Sequence, residues 1–373
     1  MNVSEGTKPL GIYISIPFCV ARCSFCNFNT QGYRLRWTEP YLHALHQEID
    51  LAWLHHDEYQ TTSVYFGGGT ASLYAADALA NLIAHCFEKW PQDTANGVEV
   101  TMEIHPATVE LSSLVAYRSA GVTRLSMGVQ SFSDARLHQL GRHHTAAQTL
   151  SAYQDARIAG FDNVSFDLMY ALPEQTAAEW EDTLTRAIDL APEHISIYAL
   201  SIERQTLFDR RQVTPLDEEA TVKQYQYAQG RLTEAGFLQY EISNFARPGL
   251  ACRHNNLYWD RRDTLGLGLS ACSYVDETHW SNVEDLPGYL EKLSAGESPR
   301  LDMRKIGPDE VEKDRLIFGL RKSSGLPIAS LNIEDRTTAT RLMEGGLLTL
   351  DQGRIKLTAQ GMLLADEVAL AFL

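Results

Sequence analysis

Short apolar, β-rich runs recur up to about residue 200, at 12–16, 64–66, 98–104, 124–129, 164–170 and 194–200. Helix-like stretches fill the intervals, at 41–54, 75–90, 111–119, 146–159 and 177–191. Strand alternating with helix predicts a parallel sheet, because parallel neighbours need a crossover connection. Six such strands predict an α/β fold, a half-closed or fully closed β/α barrel. Ligand sites in such folds gather at the C-terminal ends of the strands. Chemistry-bearing residues fall there. Cys19 follows the first strand, the glycines 67–69 the second, and Gln130 the fourth. Glu103 lies near the end of the third, and Asp167 lies within the fifth.

Beyond Ser201 the pattern changes. A helix is predicted over 217–236 and a short strand over 240–245, and 253–274 is rich in aromatics and glycine. The last segment predicts two helices, 310–320 and 339–344. A turn at Asp351-Gln352-Gly353 follows, flanked by strands 347–350 and 354–357, and then a final helix, 359–370. That order is winged-helix-like. It carries no marked basic stripe, so packing or docking is expected of it rather than nucleic-acid binding. The predicted organisation is a barrel over 1–216, a middle region over 217–304 and a C-terminal helical or winged-helix-like domain over 305–373.

Composition narrows the function. The 373 residues, 44% hydrophobic, suffice for one large core and a smaller appended domain. Lys and Arg number 32 against 48 Asp and Glu, a net −16. This charge opposes non-specific binding to nucleic acid or anionic lipid. No apolar run approaches the ~20 residues of a membrane helix. The opening MNVSEGTKPLG lacks the charged start and apolar stretch of a signal peptide. A cytoplasmic location is expected.

Of six cysteines, Cys86, Cys252 and Cys272 are scattered, whereas Cys19, Cys23 and Cys26 crowd one loop as C-x3-C-x2-C. One tight cluster in a reducing compartment argues for metal ligation over disulfides. Thiolates suit the soft irons of an iron–sulfur cluster. Three of them on a [4Fe–4S] cube leave one iron open to the amino and carboxylate groups of S-adenosylmethionine (SAM). Structural zinc is the competing reading, but it wants four ligands, usually in two separated pairs. No second pair is nearby.

IYISIPFCVARCSFCNF resembles the opening of the radical SAM superfamily. The branch is that of oxygen-independent coproporphyrinogen III oxidase and the HemW-type heme chaperones. FGGGTAS, Glu103-x-His-Pro106, SMGVQSF, LGRHHT, VSFDLMYALP, SIYALS and YEISNFARPGLACRHNNLYW continue the likeness in order along most of the chain. The resemblance implies that Cys19, Cys23 and Cys26 hold the cluster. It also implies that Tyr13, Phe25, Gly68, Gly69, Thr70, Glu103, Gln130, Arg142, Asp167 and Ala199 surround SAM. Arg142 is the natural carboxylate clamp, since guanidinium pairs bidentately, and Asp167 would accept from ribose. The decarboxylating oxidase carries a further cysteine two residues after the third. Phe28 stands there, which favours the heme-chaperone side. His254-Asn255-Asn256-Leu257-Tyr258-Trp259 matches the H-N-x-x-Y-W pattern of that side and makes His254 the candidate heme ligand. Heme or a related tetrapyrrole, heme-accepting proteins and a reductant such as flavodoxin or ferredoxin are the implied partners. The oxidase reaction and a radical SAM methyltransferase remain as alternatives.

Overall fold

The computed structural model describes residues 7–373, and the leading segment read as lacking a signal peptide lies in part outside them. Six strands alternate with helices: β1 (Lys8–Ile16), β2 (Tyr59–Gly68), β3 (Glu99–Ile104), β4 (Arg124–Gln130), β5 (Val164–Tyr170) and β6 (His194–Ala199). They lie side by side and parallel in chain order. Six further strands extend the sheet: β7 (Leu238–Gln239), β8 (Asn244–Ala246), β9 (Thr264–Leu267), β10 (Cys272–Val275), β11 (Thr278–Asn282) and β12 (Arg300–Lys305). The full order is β12-β11-β10-β9-β1-β2-β3-β4-β5-β6-β8-β7. The last strand at one end does not pair with the last at the other, so the barrel is partial.

Strand side chains alternate between faces, and here the two faces differ in kind. Ile12, Ile14, Val64, Phe66, Val100, Met102, Leu125, Met127, Phe166, Leu168, Ile195 and Ile197 are all buried in one large core with residues of the surrounding helices, among them Leu45, Ile49, Leu79, Leu82 and Leu184. The alternate positions carry Tyr13 and Ser15, Ser63 and Tyr65, Thr101 and Glu103, Arg124 and Ser126, Ser165 and Asp167, and His194 and Ser196. These line the barrel interior. A polar interior keeps the barrel from collapsing into a packed core and leaves room for a ligand.

The segment 217–304 joins this sheet at both ends. β9 runs parallel to β1, with Ile12 opposite Leu265, and becomes a seventh parallel strand. With only Thr-Leu-Gly-Leu to show, it had no pattern of its own in the sequence. The strand expected over 240–245 is divided. β7 and β8 flank a turn in which the Glu241 carboxylate accepts from Ser243 N, and from the Asn244 side chain. Helix Arg253–Trp259 closes the N-terminal end of the barrel. Glu99, at the start of β3, accepts from Arg253 N at 3.0 Å and His254 N at 3.1 Å. A Cβ on Gly11 would crowd Leu257 Cδ1, whose side chain would have to shift, and would stand 3.2 Å from Ser63 Oγ.

Residues 308–373 run helix Pro308–Leu320, strand Leu326–Pro327, helix Ile333–Glu344, hairpin Leu348–Asp351 and Arg354–Leu357, then two short helices. They have a core of their own around Leu316, Leu342, Ile355, Val368 and Phe372. The single final helix expected over 359–370 breaks at Leu364, whose φ of −118° and ψ of 33° are not helical. The break lets Met362 on one piece and Val368 on the other face the same core. No described helix is long and apolar enough to cross a membrane.

Gly11→Ala is expected to cost about 1–3 kcal/mol by overpacking. The cost should shrink when Leu257→Ala is added, since that vacates the contested space. Chemical denaturation of the single and double variants checks this, and strictly additive losses would contradict the contact.

Candidate functional site

The cysteine loop is held in place from three sides. Its residues Phe18–Cys19 pair in parallel with Gln31–Gly32, and Ser24 N donates to Leu140 O at 2.9 Å. From β2, Gly69 N donates to Ile16 O at 2.7 Å and Thr70 N to Phe18 O at 2.9 Å. A Cβ on Gly69 would lie 2.7 Å from both of those carbonyl oxygens. The glycine run is therefore a close approach of two backbones beneath the cysteines.

Cys19, Cys23 and Cys26 line one wall of a cavity of about 430 Å³ that runs down into the barrel. Thr70 Oγ1 donates to Cys19 Sγ at 3.7 Å, and Arg142 Nη1 to Cys23 Sγ at 3.5 Å. Burial pushes the Cys19 and Cys26 thiols up from their ordinary value. Among the described residues, no three His, Cys, Asp or Glu side chains sit closely enough to hold a single metal ion. Cys86, Cys252 and Cys272 do not line the cavity. Three thiols on one loop, spread around an open space and carrying a cationic and a hydroxyl donor, fit a multi-iron cluster bound on three corners.

The structure brings Phe25, Gly68, Gly69, Thr70, Glu103, Gln130, Arg142, Asp167 and Ala199 onto the same cavity as the cysteines. Glu103 Oε1 accepts from Tyr65 OH at 3.0 Å. Asp167 accepts from Ser126 Oγ, 3.1 Å from each carboxylate oxygen. Burial pushes Glu103 up to about 7 and Asp167 up to about 6. Arg142 gives Nη2 to Gly128 O at 2.7 Å, and its buried Nε has no partner. Gln130 holds a positive φ of 62° at the end of β4, a conformation uncommon outside glycine and asparagine. Phe25 packs beside Leu140, Met169, Leu172, Leu200 and Phe208, which makes one wall apolar.

Two candidates sit elsewhere. Tyr13 stands outside the cavity, its ring stacked on Tyr65 at 6.0 Å. His254 also lies off the cavity, 1% exposed. Its Nδ1 bonds Ser63 Oγ at 2.8 Å and its Nε2 bonds Tyr258 OH at 2.9 Å. Burial, with the nearby Arg124 charge, holds the ring down to about 3. Both ring nitrogens meet hydroxyls and the ring lies off the cavity, so as placed here His254 ties its helix to β2. The neighbouring Asn255 reaches the cavity instead.

Sequence reading missed Tyr65, His105, Arg124, Ser126, Ser196 and Asn255 on the lining. The period-two signal was available for the strand residues, since Tyr65 lies two positions after Ser63, Arg124 two before Ser126, and Ser196 two after His194, all inward-facing. His105 Nδ1 accepts from Ala107 N at 3.2 Å, and its ring meets that of His144 edge-on at 4.9 Å.

Comparison with known proteins agrees with this geometry. The Radical SAM superfamily model matches residues 13–187. The heme chaperone HemW of Mycobacterium tuberculosis is 35% identical over 97% of this chain and 94% of its own. That of Bacillus subtilis is 31% identical over 97% and 98%. Among solved structures, coproporphyrinogen III oxidase (HemN) from Escherichia coli superposes with a TM-score of 0.86. It covers 99% of this chain and 91% of its own at 24% identity, a likeness of fold.

His254→Ala is expected to strand the Ser63 and Tyr258 hydroxyls and cost about 1–3 kcal/mol. The iron-ligand signature of bound heme should stay unchanged. Denaturation and heme absorption spectra, recorded on the same variant, check both halves. An altered heme spectrum at undiminished stability would instead make His254 a heme ligand.

Proposed function

The chain belongs to the family of the heme chaperone HemW, and on that premise we propose that it binds heme and passes it to acceptor proteins, with a [4Fe–4S] cluster and SAM at the barrel mouth. The observation that carries the reading is the convergence of three thiols and the charged groups Glu103, Arg142 and Asp167 on one cavity. Phe28, 61% exposed at its rim, stands where the oxidase resemblance asks for a cysteine. That substitution favours the chaperone over porphyrinogen oxidation.

In this reading Cys19, Cys23 and Cys26 hold the cluster, which when bound supplies an electron to the sulfonium of SAM. The chain's own groups bind and orient. Arg142, its fork anchored on Gly128 O and Cys23 Sγ, lines the cavity beside the cysteines and is placed to meet the methionine carboxylate. Glu103, beside the Gly67–Gly68 turn, receives the ammonium group. Asp167 and Gln130 accept from and donate to ribose hydroxyls, and Phe25 and Ala199 border the adenine. A cavity of about 430 Å³ is filled by a ligand of nucleoside size. Heme therefore docks on the rim, where Val20 and Phe28 are exposed.

The reductant is an acidic one-electron donor. From Thr7 to Thr38 the chain carries Lys8, Arg22, Arg34 and Arg36 and no acidic residue, against the net −16 of the whole. Arg22, Arg34 and Arg36 are exposed on the segment that holds the cysteines. A basic patch on an acidic protein steers an acidic partner to one place. All six cysteines are free, which suits the reducing cytoplasm.

Heme titrated into anaerobically reconstituted protein, with and without SAM, is expected to give a saturable Soret band and transfer to an apo-acceptor. Conversion of coproporphyrinogen III, or S-adenosylhomocysteine formation with no heme transfer, would replace the reading by one of the two catalytic ones. Arg34→Glu/Arg36→Glu is expected to slow cluster reduction by flavodoxin about tenfold at low salt while leaving reduction by dithionite unchanged. Stopped-flow bleaching of the cluster absorbance checks it, and equal slowing with both reductants would remove the docking role.

A further inference from the structure

We propose that Thr70 is a positioning residue for the iron–sulfur cluster: its hydroxyl donates to the Cys19 thiolate and eases one-electron reduction of the cluster. The inference rests on reading Cys19, Cys23 and Cys26 as the cluster ligands.

The family resemblance puts Thr70 beside SAM, but the fold gives its hydroxyl another task. Thr70 stands at the head of the short turn Ala71–Leu73. A threonine there ordinarily turns its hydroxyl back onto the amides of its own turn. Thr70 forms no such capping bond. Its Oγ1 reaches Cys19 Sγ at 3.7 Å instead, the one hydrogen bond the hydroxyl makes among the described residues.

Backbone contacts fix both ends of that bond. Thr70 N donates to Phe18 O at 2.9 Å, and Leu73 N to Thr70 O at 3.2 Å. On the other side Phe18–Cys19 pair with Gln31–Gly32, and Tyr33 N donates to Cys19 O at 2.9 Å. The donor and the sulfur are therefore carried by two segments that cannot drift apart. Thr70 is 9% exposed, so water has little access to take its place.

The neighbouring thiol is served differently. Arg142 Nη1 meets Cys23 Sγ at 3.5 Å, but that guanidinium also bonds Gly128 O and is placed for the methionine carboxylate. Thr70 carries no charge and has no second acceptor, so its effect falls on one sulfur. Its hydrogen bond favours the ionised form of Cys19, against the burial that pushes the thiol up.

Hydrogen bonds to ligand sulfurs tune the potential of an iron–sulfur centre. One-electron reduction adds one negative charge to the cluster and its thiolates, and no bond is made or broken. The electron comes from the acidic one-electron donor of the proposed function. A donor aimed at sulfur bonds more strongly as that sulfur gains charge. Thr70 thus favours the reduced state and raises the midpoint potential.

The test uses Thr70→Val, which keeps the branched shape and removes the donor, and Thr70→Ser, which keeps the donor. Each protein is reconstituted anaerobically, checked for iron and sulfide content, and titrated without SAM against redox mediators, with EPR reading the reduced cluster. Thr70→Val is expected to lower the one-electron reduction constant about tenfold, equivalent to about 59 mV. Thr70→Ser is expected to stay near wild type. A potential in Thr70→Val equal to that of wild type overturns the inference, and so does an equal lowering in Thr70→Ser. If Thr70→Val takes up no cluster, Thr70→Ala is read in its place against the same outcomes. Wild type that assembles no four-iron centre would overturn the cluster reading itself, a result distinct from a four-iron centre whose potential ignores position 70.

Discussion

The structure depends on a division of labour between the two faces of one sheet. Outward positions on β1–β6 are aliphatic and aromatic and are buried against helices, which supplies the driving force for folding. Inward positions are hydroxyls, carboxylates, glycines, one histidine and one arginine. A barrel with an apolar interior fills itself with side chains. This one has groups that cannot pack against each other without partners, so it stays open and demands a polar ligand. The short helix Arg253–Trp259 makes that arrangement stable by closing the N-terminal end and supplying His254 to Ser63.

Buried charge then sets the chemistry of the cavity. Two carboxylates, raised by burial, lie among two guanidinium groups, of which one anchors on Gly128 O and Cys23 Sγ and the other stands unpaired on the floor. Neither cation is spent on a tight ion pair. Such a lining is poised for a ligand that carries both signs, as SAM does with its carboxylate, ammonium and sulfonium. The cysteine loop at the mouth meets the same cavity through Arg142, so the metal-binding wall and the ligand wall share one residue.

Helix Arg253–Trp259 also ties the barrel to the C-terminal unit. Asn255 faces the cavity, whereas Trp259 stacks on Phe318 at 6.2 Å and lies under Arg321 at 4.7 Å. Lys322 reaches back to Asp260 at 2.8 Å. The H-N-x-x-Y-W segment is thus a structural joint. Its histidine and tyrosine seal the barrel, and its tryptophan receives the last domain.

The six parallel strands were legible in the sequence because each is a short apolar run between helix-forming stretches. The metal-binding loop was legible because three thiols at close spacing leave few other readings. Glu103, Gln130, Arg142 and Asp167 were legible through their motifs. Tertiary structure alone decided the rest. β9 is four residues long and becomes a barrel strand only because β1 offers it an edge. Arg124 looks like any strand-end arginine until the barrel closes around it and leaves it unpaired. His254 carries an imidazole fit for iron, but only folding brings Ser63, distant in sequence, against its Nδ1 while Tyr258 on its own helix takes its Nε2. Local pattern determines which face a side chain takes, whereas what meets it there depends on contacts between segments far apart along the chain.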